Sequence, residues 1–373
     1  MIDNLPNGWK IEELGNLGKV FTGSSAPQEE KYFKNGKYPF IRVSDLSNKK
    51  FNRKLNIVND YINDKCLNEK TQTFANKGTI LFAKSGMSVR NNHRAILDID
   101  GYIVSHLCAI YIEEKYTREY IYHLLCKIDM VNYSENEAYP SLKTSTIKLI
   151  KVPIPPLQQQ EKIVKILNLT SNLIEKQKEL LEKYDLFLKS KFIEMFGDPI
   201  TNPMGWEIVN FEDIMVLQRG YDLPINDRAY GNIEVYGSNG VLDYHSEAKV
   251  KNGGVITGRS GTLGKVHYTL GDYWPLNTTL FSKDLKGNNI IYLAYFLEMF
   301  KVERFSQGAG VPTLNRNLVH KEKTYKVPLE LQNKFASIVE KIETIKEKEN
   351  QKLKQFEDLH NSMMNKAFKG EIK

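Results

Sequence analysis

The sequence predicts two mixed α/β (α+β) globular domains, each followed by a long helix, with the two helices pairing antiparallel as a coiled coil. Three observations predict it. The phrase "KVPIPPLQQQEKIVKIL" at Lys151 is answered by "KVPLELQNKFASIVEKI" at Lys326, 175 residues further on, a period that marks a repeated domain and not a solenoid unit. Short apolar and β-branched runs ending in Gly, Ser or Asn turns precede each phrase. Apolar residues at three- and four-residue steps follow each phrase, the pattern of an amphipathic helix.

Taken in order, each half opens alike. "PNGWKIEEL" at Pro6 matches "PMGWEIVNF" at Pro203, and the offset of 197 also brings Gly23 onto Gly220 and Pro27 onto Pro224. In the first body "YPFIRVSDL", "GTILFAKSG" and "GYIVSHLCAIYI" read as strands; in the second, "GNIEVYGSNG", "GGVITGRSG" and "YWPLNTTLFSK" do. A helix such as "REYIYHLLCKI" or "IIYLAYFLEMF" follows each set. "GTILFAKSG" corresponds to "GGVITGRSG" at offset 175, and "YPSLKTSTIKLIKVP" from Tyr139 to "VPTLNRNLVHKEKTYKVP" from Val311, with Pro140 on Pro312. The offset reads as falling from 197 to 172 and settling at 175. Such losses belong in loops of the second body.

The helical stretches come next. Ile163, Ile166, Leu167, Leu173, Ile174, Leu180, Leu181, Tyr184 and Leu188 line one side of the first; Ile338, Ile342, Ile345, Leu353, Phe356, Leu359 and Met363 line the second. Residues 161–196 would make a rod of about 54 Å at ~1.5 Å per residue. Polar residues interrupt both seams (Thr170 and Gln177; Glu349 and Lys352), so neither helix is expected to be stable without the other. The division is therefore 1–152, a first domain; 153–198, a helical spacer; 199–327, a second domain; and 328–373, a second spacer. Antiparallel helices would relate the domains by an approximate two-fold axis.

At 373 residues, 41% of them hydrophobic, the chain can bury a core in each domain. No run of 18 apolar residues occurs and the start lacks a basic segment followed by an apolar one, so neither a membrane span nor a signal peptide is expected and the default compartment is the cytoplasm. Cys66, Cys108 and Cys126 are odd in number and without CxxC spacing, which argues against a disulfide framework or a zinc site. The net charge is +7, a mild excess that suits an acidic partner such as nucleic acid. Residues 161–196 hold seven basic and six acidic residues and residues 340–373 eight and seven, so most of the excess lies on the globular bodies.

The "GWK" and "GWE" openings, the "SG" loops, "YPSLKTSTIKLIKVPIPPLQQQEKIVKIL" and the closing "MMNKAFKGEI" resemble the specificity subunit of type I restriction-modification systems, over nearly the whole chain. The resemblance implies two target-recognition domains, each reading one part of a split double-stranded DNA sequence, and two helical spacers that dock two DNA adenine methyltransferase subunits. It further implies a restriction and translocation subunit. S-adenosylmethionine, ATP and Mg would bind to those partners, with no cofactor or metal in this chain. The charge-rich "KEKENQK" at Lys346 departs from a continuous apolar spacer seam.

A DNA reader needs cations for phosphates and donors or acceptors for base edges. The first body offers Arg42, Ser44, Asp45, Lys84, Ser85, Arg90, Asn91, Arg94, Ser141 and Lys143. The second offers Arg219, Tyr221, Tyr236, Ser238, Asn239, Arg259, Ser260, Lys265, Asn315 and Arg316. Arg matches guanine and Asn matches adenine in the major groove. The "KSG" and "RSG" loops stand out, because Gly lets backbone approach a phosphate while the cation before it neutralises one.

Rival chemistry finds little support. "NPMG" at Asn202 lacks the second half of an Asn-Pro-Pro-aromatic methyltransferase element, and the copy near Asn4 makes it a shared turn before Trp. "GRSGTLGKV" at Gly258 has five residues where a P-loop has four, and Val266 where Ser or Thr would bind magnesium. His93, His106, His245 and His267 form no ligand pairs at metal spacing. The alternative is a coiled-coil scaffold that binds only protein, which explains the helices and leaves the basic bodies without a role.

Overall fold

A computed structural model describes residues 5–47, 53–114, 116–136, 138–308 and 312–372. The chain forms two compact units: Met1–Lys178 with Lys352–Lys373, and Glu179–Gln351. These units cut across the division into domains and spacers, because each takes part of both long helices.

Unit 1 contains three sheets. A five-stranded sheet runs in the order β2 (Gly18–Thr22), β10 (Leu107–Ile112), β7 (Ile80–Ala83), β8 (Arg94–Leu97), β4 (Lys54–Leu55). A four-stranded sheet runs β5 (Asp60–Ile62), β3 (Tyr38–Ile41), β9 (Gly101–Ile103), β6 (Thr73–Ala75), and β1 (Lys10–Glu13) pairs antiparallel with β11 (Lys151–Ile154). Helices α1 (Asp64–Glu69), α2 (Arg118–Lys127) and α3 (Thr144–Lys148) complete the body. All four residues of β7 are buried, which explains its continuous apolar run, and all four of β8 are buried as well, Arg94 included.

Unit 2 repeats the plan with its strands divided among smaller sheets. Its main sheet runs β13 (Val216–Arg219), β19 (Thr279–Asp284), β16 (Gly254–Gly258), β17 (Val266–Thr269); a second runs β15 (Gly240–His245), β14 (Ile233–Gly237), β18 (Tyr273–Pro275). β12 (Glu207–Asn210) pairs with β22 (Lys323–Lys326), and β20 (Ser306–Gln307) with β21 (Thr313–Leu314). Helices α5 (Ile290–Phe300) and α6 (Arg316–Lys321) occupy the places of α2 and α3.

The two long helices, α4 (Leu157–Phe196) and α7 (Leu329–Phe368), are 40 residues each. Both start directly after a proline (Pro156, Pro328), and glycines in the left-handed region, Gly197 at φ 76° and Gly370 at φ 74°, follow their ends, as their missing Cβ allows. A buried glutamine ties each start to its body. Gln160 accepts from the Thr117 N–H at 2.9 Å and donates to the Pro155 carbonyl, and Gln332 accepts from the Asn289 N–H at 2.9 Å and donates to the Val327 carbonyl.

These contacts correct the repeat alignment. β1 sets Lys10 opposite Ile154, and β12 sets Glu207 opposite Lys326. Ile154 therefore corresponds to Lys326 and Gln160 to Gln332, an offset of 172 from Tyr139 to the helix ends, not 175. The second Lys-Val-Pro lies three residues later in the plan than the first.

Within unit 1, the Gln159 side chain donates to the Ile372 carbonyl at 3.1 Å, Thr170 bonds His360 at 2.7 Å and Lys178 pairs with Glu357 at 3.1 Å. The order of these contacts makes the two helical segments antiparallel. In unit 2, Lys346 pairs with Asp185 at 2.7 Å and Phe335 meets Phe192 and Phe196, again antiparallel. Thr170 and Gln177, expected to interrupt the seam, are buried in it. Ile345 and Leu359, expected on the seam, are exposed.

Candidate nucleic-acid interface

In unit 1 the chain leaves β7 into Lys84-Ser85-Gly86, and the segment before α3 lies beside it. The Leu142 N–H donates to the Lys84 carbonyl at 2.8 Å, the Gly86 N–H to the Pro140 carbonyl at 2.8 Å, and Ser85 and Ser141 form a bridge. Ser85 Oγ bonds His106 Nδ1 at 2.6 Å. Gly86 stands at φ 79°, a conformation that disfavours side chains. The two phrases "KSG" and "YPSL", 55 residues apart in sequence, thus form one paired loop.

Unit 2 builds the same pair. The Leu314 N–H donates to the Arg259 carbonyl at 2.8 Å, and Ser260 bridges Thr313. Gly261 stands at φ 81°, and a Cβ at Gly258 would sit 1.8 Å from the Thr262 carbonyl oxygen. The β14–β15 turn leans on this loop: Ser238 Oγ lies 3.3 Å from where a Gly261 Cβ would be, and Lys265 donates to Asn239 Oδ1 at 2.9 Å.

The structure gathers some of the sequence candidates and separates others. Arg219, Arg259, Asn315 and Arg316 line one pocket of about 370 Å³ in unit 2, with Ser260 beside it. Ser44 and Asn91 line a smaller one of about 160 Å³ in unit 1. Arg90 and Ser141 are exposed. Lys143 is exposed and paired with Glu135 at 2.6 Å. Tyr221 is half-buried, its hydroxyl 3.3 Å from Gln218 Nε2 and its ring against Phe281.

Three candidates are corrected by burial. Asp45 is 1% exposed and accepts from the Arg42 backbone N–H and from Asn59; burial pushes its carboxyl pKa up against those bonds. Arg94 donates to the His93 carbonyl and to Asn92 and lies over Phe82, and burial draws its pKa down to about 10. Tyr236 is 5% exposed and donates to Glu234 at 2.7 Å. All three side chains are buried and hydrogen-bonded within their own units. Arg42 is also engaged: its guanidinium pairs with Asp60 and lies over Phe33 and Phe40.

Sequence reasoning missed Gln307, Thr313 and Asn317, which line the unit 2 pocket, and Tyr139, 62% exposed beside Gly86. Thr313, Asn317 and Tyr139 all lie inside the repeated "YPSL" and "VPTLNRN" phrases, so proximity to a repeated loop was the available signal. Gln307 had none.

A family model described as the type I restriction modification DNA specificity domain matches residues 6–183 and again 203–355. The chain belongs to this family. Relatives include the type I restriction enzyme MjaIX specificity subunit of Methanocaldococcus jannaschii, 28% identical over 264 residues, covering 63% of this chain and 58% of the relative, so the chain spans less than two thirds of that protein's length. A putative specificity subunit of Haemophilus influenzae, S.HindORF215P, is 22% identical over 292 residues, 71% of this chain and 75% of the relative. The crystal structure of an M. genitalium type I S subunit superposes with a TM-score of 0.54 at 15% identity, over 99% of this chain and 97% of that one. A chain from a study of complex assembly and conformational transition in a type I system gives 0.56 at 16% identity, over 98% of each. These likenesses establish the specificity-subunit fold, two recognition domains with helical spacers. Among the described residues, no helix is long and apolar enough to cross a membrane.

Proposed function

We propose that this chain is the DNA-specificity subunit of a type I restriction-modification complex, reading a bipartite, asymmetric duplex target and performing no covalent chemistry itself. One observation carries this reading. The same paired loop is built twice around one shared backbone hydrogen bond and one shared bridge, with Lys84, Ser141 and Lys143 in one copy and Arg259, Thr313 and Asn315 in the other. A constant frame with changed side chains is what two readers of different half-sites require.

On this reading α4 and α7, about 60 Å each at ~1.5 Å per residue, pass from one unit into the other and set the number of uncontacted base pairs between half-sites. Two DNA adenine methyltransferase subunits dock on the helices, flip an adenine in each half-site and methylate it. Leu169, Leu186 and Phe187, exposed by 62%, 63% and 47% on α4, offer the apolar surface such docking uses. Restriction subunits join the same complex, and S-adenosylmethionine, ATP and Mg belong to the partners.

Mapping methylated adenines in cells carrying the system tests the reading: two half-sites at fixed separation are expected. Exchanging residues 200–325 for those of a relative changes one half-site only; loss of both counts against independent readers. Four residues inserted in α4, about one turn, change the gap and leave both half-sites intact. A scaffold that binds only protein would show no salt-dependent affinity for duplex DNA.

A further inference from the structure

We infer that the pocket lined by Arg219, Arg259 and Arg316 is a cradle for one DNA backbone phosphate, and that unit 1 has no equivalent, so unit 2 supplies the stronger grip on the duplex. The inference rests on the DNA-reading proposal above. Three arginines line one pocket of about 370 Å³. Among the described residues, the only carboxylate paired with any of them is Asp222, 3.9 Å from Arg219 and 71% exposed, and Arg259 and Arg316 have no ion pair. Like charges gathered at one place repel, and an anion with several acceptor oxygens relieves that repulsion. A base edge is a poorer fit, because it offers both donors and acceptors, and the neutral Asn315 is already committed: its Oδ1 accepts from the Asn317 N–H at 3.1 Å and its Nδ2 donates to Gln307 at 3.0 Å.

The shared plan identifies the corresponding places in unit 1. Arg219 ends β13 opposite Leu280 of β19, as Thr22 ends β2 opposite Cys108 of β10. Arg259 receives the Leu314 N–H as Lys84 receives that of Leu142. Arg316 opens α6 as Thr144 opens α3. Three arginines thus stand where unit 1 has Thr, Lys and Thr, and the neighbouring Lys143 is neutralised by Glu135.

The test measures binding of the full chain to a fluorescein-labelled 30-base-pair duplex pool of random sequence, across salt concentrations. Removing one phosphate contact lowers the slope of log K against log salt by about 0.9. Arg259→Gln/Arg316→Gln is expected to lower the slope by that amount and to weaken binding about tenfold or more near 0.1 M salt. Lys84→Gln should cost distinctly less. Arg259→Lys/Arg316→Lys should keep the slope, since a phosphate accepts a point charge where bidentate base reading does not; it also guards against misfolding of the Gln variant. An unchanged slope in the Gln variant, a loss confined to particular sequences, or an equal loss for Lys84→Gln overturns the cradle while leaving DNA reading intact. A wild-type chain that binds no duplex overturns the DNA reading itself, and the cradle with it.

Discussion

Where unit 1 places Ile163 and Met364 between its helices and its body, unit 2 places Phe335 and Phe192. The correspondence follows from the helices, since Ile163 and Phe335 are each the seventh residue and Phe196 and Phe368 each the fortieth. One aromatic pair is kept in both: Tyr120 with Phe368 at 5.6 Å, Tyr292 with Phe196 at 4.9 Å. Around it unit 2 adds rings, Phe192 to Phe196 at 5.0 Å and Phe196 to Phe335 at 5.6 Å. Unit 1 instead carries polar groups further along its seam, with His123, His360 and Thr170 standing where unit 2 has Tyr295, Leu188 and Ile342. One backbone plan therefore accepts an aromatic or a hydrogen-bonded filling at corresponding positions.

The largest way to break this comparison is to remove a ring. Phe196→Ala is expected to cost about 3–5 kcal/mol, the usual range for a buried Phe, with the loss in hydrogen-exchange protection concentrated in unit 2. A cost under ~1 kcal/mol would mean the ring cluster does not hold the unit together.

Acid should divide the units next. Burial, helped by the nearby Arg53 and His360 charges, lowers the His123 pKa to about 4, despite its bond to Asn168 at 2.8 Å. Burial also lowers the His360 pKa. A depressed folded-state value means the neutral ring is preferred in the fold. That stability is fully present above the unfolded value of ~6.5 and is lost as pH falls through about 4, on the order of 3 kcal/mol for His123. Exchange mass spectrometry at pH 7 and pH 5 should show unit 1 losing more protection. If His123→Tyr, the unit 2 residue, leaves the pH response unchanged, the assignment fails.

A smaller difference lies in two hydroxyls. Tyr120 donates to the Pro153 carbonyl at 2.8 Å, whereas the buried Tyr292 hydroxyl has no partner among the described residues. Tyr120→Phe should destabilise by ~1 kcal/mol, and Tyr292→Phe should be neutral or slightly stabilising; urea midpoints shifting equally for both would contradict this. Smallest of all, Lys178→Ala removes a half-exposed ion pair with Glu357 and should cost only ~0.2–1 kcal/mol, less as salt is raised.

Much of this was legible in the sequence. The doubled openings became β1 on β11 and β12 on β22, the periodic stretches became α4 and α7, and the loops "KSG" and "RSG" lie beside "YPSL" and "VPTL". The register was not legible, because a chance recurrence of Lys-Val-Pro outweighed the buried Gln160 and Gln332, whose roles appear only once hydrogen bonds can be traced. Burial of Asp45, Arg94 and Tyr236 was also hidden: a polar side chain at a strand end reads the same whether it faces solvent or folds back into the body. The arginine pocket joins residues 219, 259 and 316, and that convergence depends on the pairing of β13, β19 and β16 across long sequence separations.

Because unit 1 needs Lys352–Lys373 while unit 2 is complete at Gln351, synthesis imposes an order on assembly. The later-encoded body can mature while the earlier one still waits for the tail to leave the ribosome. A premature stop codon near position 352 would thus cripple the portion translated first, leaving its core open to chaperones and proteases.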